Sequence, residues 1–260
     1  MNGIGIHLGR RYVITGAGSG IGREVATLLG SQGARLALAD CNFTQVSAVA
    51  DEIRSVGGNA VPLAVDITNE SDVERMLTEA ESAFGSLDGA FNNAGIAAAG
   101  SYSFGTAITD IDIADFRSMV DVNLIGMFLC LKHELKSMNR PGVSIVNNAS
   151  AAGLIGITNG APYVAAKHGA VGLTKAAALE GARNGIRVNS VCPGFVESPM
   201  LLDHATEEGK ESRRAITPIG RLGQPSEVAE LVAWLLSPVS SFMTGANIPI
   251  DGGLSVGAQR

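Results

Sequence analysis

The chain has 260 residues, 46% of them hydrophobic, and a formal net charge of -6, so it can bury a large core as one domain spanning 1-260. The acidic balance, with no basic run longer than Arg10-Arg11 or Arg213-Arg214, argues against a nucleic-acid surface and for a neutral small-molecule or ordinary protein partner. Cys41, Cys130 and Cys192 lie far apart with no CxxC and no nearby His cluster, which suggests neither a metal site nor a disulfide framework. With no apolar run of about 18 residues and no signal peptide within Met1 to Arg11, the expectation is a soluble cytoplasmic protein with no membrane partner.

Short β-branched runs alternate with segments of helical period, which predicts βαβ units around a parallel sheet. The first strand, Arg11 to Thr15, runs into Thr15-Gly16-Ala17-Gly18-Ser19-Gly20-Ile21-Gly22 and then a helix over Gly20 to Ser31. No register there satisfies G-x-G-x-x-G, because position 21 is Ile and position 23 is Arg; the spacing that fits is T-G-x-x-x-G-x-G. A glycine-rich turn between strand and helix lets the backbone approach a pyrophosphate at a helix N-terminus. The second strand, Arg35 to Ala39, ends beside Asp40. At the carboxyl edge of a doubly wound sheet this carboxylate can accept both ribose hydroxyls and repel a 2′-phosphate. NAD is therefore expected over NADP, although Arg23 and Arg35 keep NADP open and Asp40 can also be read as a helix N-cap.

A helix over Thr44 to Val56 and a strand over Ala60 to Val65 follow, and Asp66-Ile67 then stands at the same sheet edge. After a helix over Glu70 to Phe84, the fourth strand, Gly89 to Asn92, leads to Asn92-Asn93-Ala94-Gly95, which can line the cofactor cleft or only close turn hydrogen bonds. A long helix over Ile113 to Ser137 contains Asn123, a mediocre helix former with no evident local role. The fifth strand, Val143 to Asn147, delivers Ser150 thirteen residues before Tyr163. In a helix over Pro162 to Ala182, Tyr163 and Lys167 are four apart and share a face. A phenol ordinarily titrates near ~10, and a nearby ammonium lowers that value toward one suited to proton exchange with an alcohol or ketone. Strands over Arg187 to Val191 and Asn247 to Ile250, and a helix over Pro225 to Leu236, complete seven strands. Pro249 argues for an edge position of the last one.

In this order and spacing the motifs resemble those of the short-chain dehydrogenase/reductases from Thr15 to Gly253: the Thr15 to Gly22 turn, Asn92-Asn93-Ala94-Gly95, Asn123, Ser150, Tyr163 with Lys167, and Pro193-Gly194. The fold class implied is α/β, a Rossmann-like three-layer sandwich with a seven-stranded, mostly parallel sheet. The resemblance implies Tyr163 as general acid-base, Ser150 orienting the substrate oxygen, Lys167 lowering the tyrosine pKa and binding the nicotinamide ribose, and Asn123 holding a relay water. It implies cofactor contacts from Gly16, Ser19, Gly20, Ile21, Gly22, Asp40, Asp66, Ile67, Asn93, Ala94, Gly95, Tyr163, Lys167, Pro193, Gly194, Val196 and Ser198. Ser198 stands where the family often has Thr, and Ala149 where it often has Ser.

The substrate side is expected from Ser150, Ala152, Leu154, Tyr163, Phe195 and Met200, under a mobile lid over about 195-214. That wall is apolar, with polar handles only at Asn159 and Tyr102, so a hydrophobic or cyclic secondary alcohol or its ketone is expected. His168 and His204 read as bystanders. The resemblance also implies a homo-tetramer or dimer through the Ile113 to Ser137 and Pro162 to Ala182 helices, with the tail after Gly253 adding a contact. A turnover-silent dinucleotide-binding regulator, or an enone or imine reductase or cyclase on the same site, are the alternative readings.

Overall fold

The computed structural model describes residues 5-202 and 206-257. Seven strands, β1 (Arg11–Thr15), β2 (Arg35–Asp40), β3 (Asn59–Ala64), β4 (Gly89–Asn92), β5 (Ser144–Asn148), β6 (Arg187–Pro193) and β7 (Asn247–Ile250), pair in parallel in the order β3-β2-β1-β4-β5-β6-β7. Between them run α1 (Gly20–Ser31), α2 (Phe43–Ser55), α3 (Glu70–Phe84), α4 (Ile113–Val120), α5 (Met127–Ser137), α6 (Ala161–Ala182), α7 (Pro199–Leu202), α8 (Glu207–Ile216) and α9 (Pro225–Leu236).

Strand alternation decides the layering. Tyr12 and Ile14 of β1, Leu36 and Leu38 of β2 and Val191 of β6 face one core with Val25 and Leu29 of α1, Val46 of α2 and Val232 of α9. Val13, Ala37, Ile145 and Val188 face the opposite core with Met76 of α3, Leu131 of α5 and Ala170 of α6. Because both faces are covered, strand residues are apolar on both sides, as a parallel sheet requires. Each fully buried Leu or Ile contributes about 1.5–3 kcal/mol relative to exposure. Pro249 lies on the edge strand β7 and Pro62 on the opposite edge strand β3, the two places where a missing ladder donor costs least.

The sequence boundaries shift by a residue or two at several ends, as at β5, β6 and α2. One difference is structural. The expected continuous helix Ile113 to Ser137 is two helices joined by a π-helical turn, Asp121–Gly126, with Asn123 inside it. The widened turn accompanies an Asn123 amide that bonds both the Met119 carbonyl one turn back and a loop outside the helix. In the expected lid, Gly209 lies within α8, its N–H donating to Thr206 Oγ1 at 3.1 Å. His204 lies outside the described residues, as does the end of the C-terminal tail. No helix among the described residues is long and apolar enough to cross a membrane.

Candidate active site

The connections leave β1 and β4 in opposite directions, which opens a crevice at their carboxyl ends. Thr15 ends β1, and its Oγ1 accepts from Asn93 N at 3.0 Å and Ala94 N at 3.2 Å. Asn93 Nδ2 donates to Gly16 O at 3.0 Å, and Asn93 Oδ1 accepts from Asn148 Nδ2 at 2.8 Å. The glycine turn is thereby tied across β4 to β5. Gly16 has φ +63°, and a Cβ there would stand 2.8 Å from Ala94 Cα, so position 16 admits only glycine without local rearrangement. Ser19 is exposed at the N-cap of α1, its side chain makes no capping bond, and the first turn, with Gly20, Ile21 and Gly22, carries no acid. The free first-turn N–H groups and the helix dipole suit an anionic group.

Asp40 sits half-buried beside that turn, with Oδ2 accepting from Gly18 N at 2.9 Å and Oδ1 from Asn42 N at 2.9 Å. The N-cap of α2 is Asn42, which accepts from Gln45 N, so helix capping is not the task of Asp40. A carboxylate has about four acceptor positions, leaving room for ribose hydroxyls. Arg23 is engaged by Glu52 at 2.8 Å, and Arg35 lies at the opposite end of β2. Asp66 is exposed and closes a turn on Thr68 N and Oγ1, whereas Ile67 is buried against Gly126. Across the crevice, Ser198 Cβ approaches Gly20, Val196 bridges to Gly223, Pro193 ends β6, and Gly194 N donates to Ile250 O at 3.1 Å.

Ser150 leaves β5 in extended backbone, and its Oγ accepts from Ala152 N at 3.1 Å, capping the short turn Ala151–Gly153. This leaves the hydroxyl hydrogen free, and Ser150 lies beside the Tyr163 phenol and draws its pKa down. Lys167 is almost fully buried, donates to Asn148 O at 2.9 Å and lies 5.5 Å from the Tyr163 ring centroid. Burial brings its pKa to about 8. The downward shift expected for Tyr163 is not what the protein alone has: burial outweighs the Ser150 contact and raises the phenol above its ordinary value. Asn123 is buried, with Nδ2 on Ile96 O at 2.9 Å and Oδ1 accepting from Ile96 N at 3.2 Å. A Cβ on Gly95 would lie 2.6 Å from Asn123 Oδ1 and 3.6 Å from Lys167 Nζ. Gly95 keeps open the space between them.

On the substrate side, Ala152 is buried, Leu154 packs partly against the core, Met200 is exposed on α7 and Phe195 stacks under Arg213 at 5.7 Å. His168 is exposed and bonds only its own helix, at Val164 O. Among the described residues no group of three or more His, Cys, Asp or Glu could hold a metal ion. Phe104, absent from the expected site, is edge-on to Tyr163 at 5.3 Å, and Tyr102, expected as a polar handle of the substrate wall, lies 6.3 Å from Phe104. Asn148 also went unassigned, although an Asn at the end of an apolar strand is a legible signal.

A family model described as Enoyl-(Acyl carrier protein) reductase matches residues 16–255. The 2,5-dichloro-2,5-cyclohexadiene-1,4-diol dehydrogenase of Sphingobium indicum is 42% identical over 253 residues, covering 95% of this chain and 97% of that protein. The chain belongs to the short-chain dehydrogenase/reductases. The cyclohexanol dehydrogenase of an Acinetobacter strain is 44% identical over 241 residues, 92% of each protein. The crystal structure of levodione reductase superposes with a TM-score of 0.91 at 35% identity, covering 96% of this chain and 99% of that one. As a short-chain dehydrogenase/reductase the protein is an oxidoreductase whose cofactor is a nicotinamide dinucleotide. The uncapped α1 N-terminus, the Asp40 carboxylate and the space guarded by Gly95 form a donor set that fits one.

Proposed function

We propose that the protein interconverts an apolar cyclic secondary alcohol and its ketone with NAD(H), Tyr163 serving as general acid-base. The observation that carries this reading is the meeting of Ser150, Tyr163 and Lys167 at the carboxyl end of β5, each with an unused donor. The nicotinamide, when bound, accepts or supplies the hydride. Ser150 orients the reacting oxygen while Tyr163 exchanges its proton. The raised phenol pKa suits an acid that protonates a forming alkoxide, and in oxidation the Lys167 ammonium and a cationic nicotinamide both favour the phenolate. Lys167 has two N–H groups beyond its Asn148 bond for a ribose. Asn123, already bonded at Ile96 and Met119, holds the π-helical turn in place and, through Oδ1, borders a relay water.

Cofactor contacts are assigned to the turn from Gly16 to Gly22, Asp40, Asp66, Ile67, Asn93 to Gly95 and the Pro193 to Ser198 segment. NAD is favoured because Asp40 stands at the ribose end and Arg23 is engaged by Glu52. The apolar wall of Ala152, Leu154, Phe195 and Met200, within one domain covered by a lid over 195-214, accords with relatives named for ring alcohols and diones. Assembly as a dimer or tetramer rests on exposed Ile125 and Phe128 of the Asp121–Ser137 stretch and Leu179 of α6; Ala166 and Ala170, by contrast, face the core of their own chain. NADH formation across a panel of cyclic alcohols, with NADP in parallel, tests the reading. Turnover with NAD supports it, and cofactor binding without oxidation or reduction of any ring alcohol, ketone or enone would replace it with the regulator.

A further inference from the structure

Tyr102 is 1% exposed, and its hydroxyl has no hydrogen-bond partner. A buried unpaired hydroxyl destabilises the fold, yet the loop that carries it is tightly made. Ala99 and Tyr102 exchange backbone hydrogen bonds at 3.2 and 2.8 Å. Asp115 of α4 accepts on one oxygen from Ser101 N at 3.0 Å, Ser101 Oγ at 2.8 Å and Tyr102 N at 3.1 Å. Gly100, at φ +54°, makes the turn that this clamp grips. From that loop the Tyr102 ring contacts Phe104, which contacts Tyr163 on the catalytic helix. Phe104 is itself 37% exposed and is the outer member of the three.

We propose that Tyr102 is a specificity-determining residue: with Phe104 displaced, a substrate ring lies between the two phenols, its reacting oxygen on Tyr163 and Ser150, and a second oxygen on the Tyr102 hydroxyl. The substrate class is therefore a cyclic alcohol or ketone that carries a second neutral oxygen. A neutral group is specified because, among the described residues, the Tyr102 hydroxyl has no charged partner and only burial perturbs it. The phenol stays protonated and donates, since burial raises its pKa. Asp115 acts through the loop and is a positioning residue. This assignment rests on the dehydrogenase reading above.

The test compares kcat/KM for cyclohexane-1,4-diol and cyclohexanol, with NAD, in the wild type and in Tyr102→Phe. The wild type should favour the diol by about 3- to 10-fold beyond the statistical factor for two hydroxyls, and Tyr102→Phe should reduce that ratio toward the statistical value through KM for the diol. The thermal midpoint of Tyr102→Phe should equal or exceed that of the wild type, because the removed oxygen has no partner. Should that variant fold poorly, Asp115→Asn, which loosens the clamp, should lower the same ratio. An unchanged ratio in the variants, or a wild type without diol preference, overturns the role of Tyr102 and leaves the dehydrogenase reading standing. Turnover of neither alcohol by the wild type overturns both.

Discussion

Glu134 of α5 is completely buried beneath the sheet, and replacing it with Gln should flatten one limb of the pH-stability profile. Its Oε2 accepts from Asn92 Nδ2 at 2.9 Å, and the same amide donates to Asn147 Oδ1 at 3.0 Å, which continues to Thr174 Oγ1 and the Ala170 carbonyl. Glu134 Oε1 and Asn92 Oδ1 have no partners. Burial, only partly offset by the Asn92 bond, raises the carboxyl pKa from 4.5 to about 7. Because the folded value is the higher one, the folded chain binds the extra proton between these values. The contribution is full below pH 4.5 and is lost as pH rises through about 7, amounting to about 3 kcal/mol.

Glu134→Gln is nearly isosteric and imitates the protonated acid, its amide nitrogen replacing the protonated oxygen. His7 works in the opposite sense over part of the window, since burial lowers its pKa from 6.5 to about 4 and stability from that group rises with pH. The informative quantity is therefore the difference between variant and wild type. That difference should move in favour of the variant by about 3 kcal/mol between pH 4.5 and 8, or roughly 6–12 °C in thermal midpoint. Calorimetry or reversible urea unfolding at several pH values reads it. A difference that stays constant with pH would show that the carboxyl is ionised at no cost in the folded protein and would refute the reasoning.

Asp40→Asn keeps an acceptor but removes the charge, and should raise the NADP-to-NAD ratio of kcat/KM by about 10- to 100-fold, chiefly through KM; steady-state kinetics with both cofactors checks it. Gly95→Ala should push the new methyl onto Asn123 Oδ1, 2.6 Å away, disturbing the Ile96 bonds and costing about 1–3 kcal/mol in stability. Unfolding midpoints and kcat should both fall in that variant.

The sheet was legible because its strands are short apolar runs punctuated by glycine and polar residues, and because Pro249 marked an edge. The proximity of Tyr163, Lys167 and Ser150 was expected from their spacing taken together with the family resemblance, since the Tyr163 to Lys167 spacing alone also fits an exposed helical pair. The π-helical turn was not: Asn123 read only as a mediocre helix former inside a continuous helix, and the turn accompanies a long-range bond to Ile96 that no local pattern encodes. Tyr102 and Phe104 come to Tyr163 from about 60 residues away, through a loop gripped by Asp115, which is why Tyr102 read only as a polar handle and Phe104 not at all. The tyrosine pKa illustrates the same limit. Spacing identifies the ammonium, but burial decides the sign of the shift.

Tyr163→Phe tests the central claim most directly. The variant removes one hydroxyl from a partly exposed side chain and leaves Lys167, Asn148 and the glycine turn untouched. NADH binding, followed by fluorescence, should stay within about 3-fold of the wild type, while turnover of a cyclic alcohol falls at least ~100-fold, the range expected for loss of a general acid-base. Turnover near the wild-type level with NADH binding intact would contradict the account.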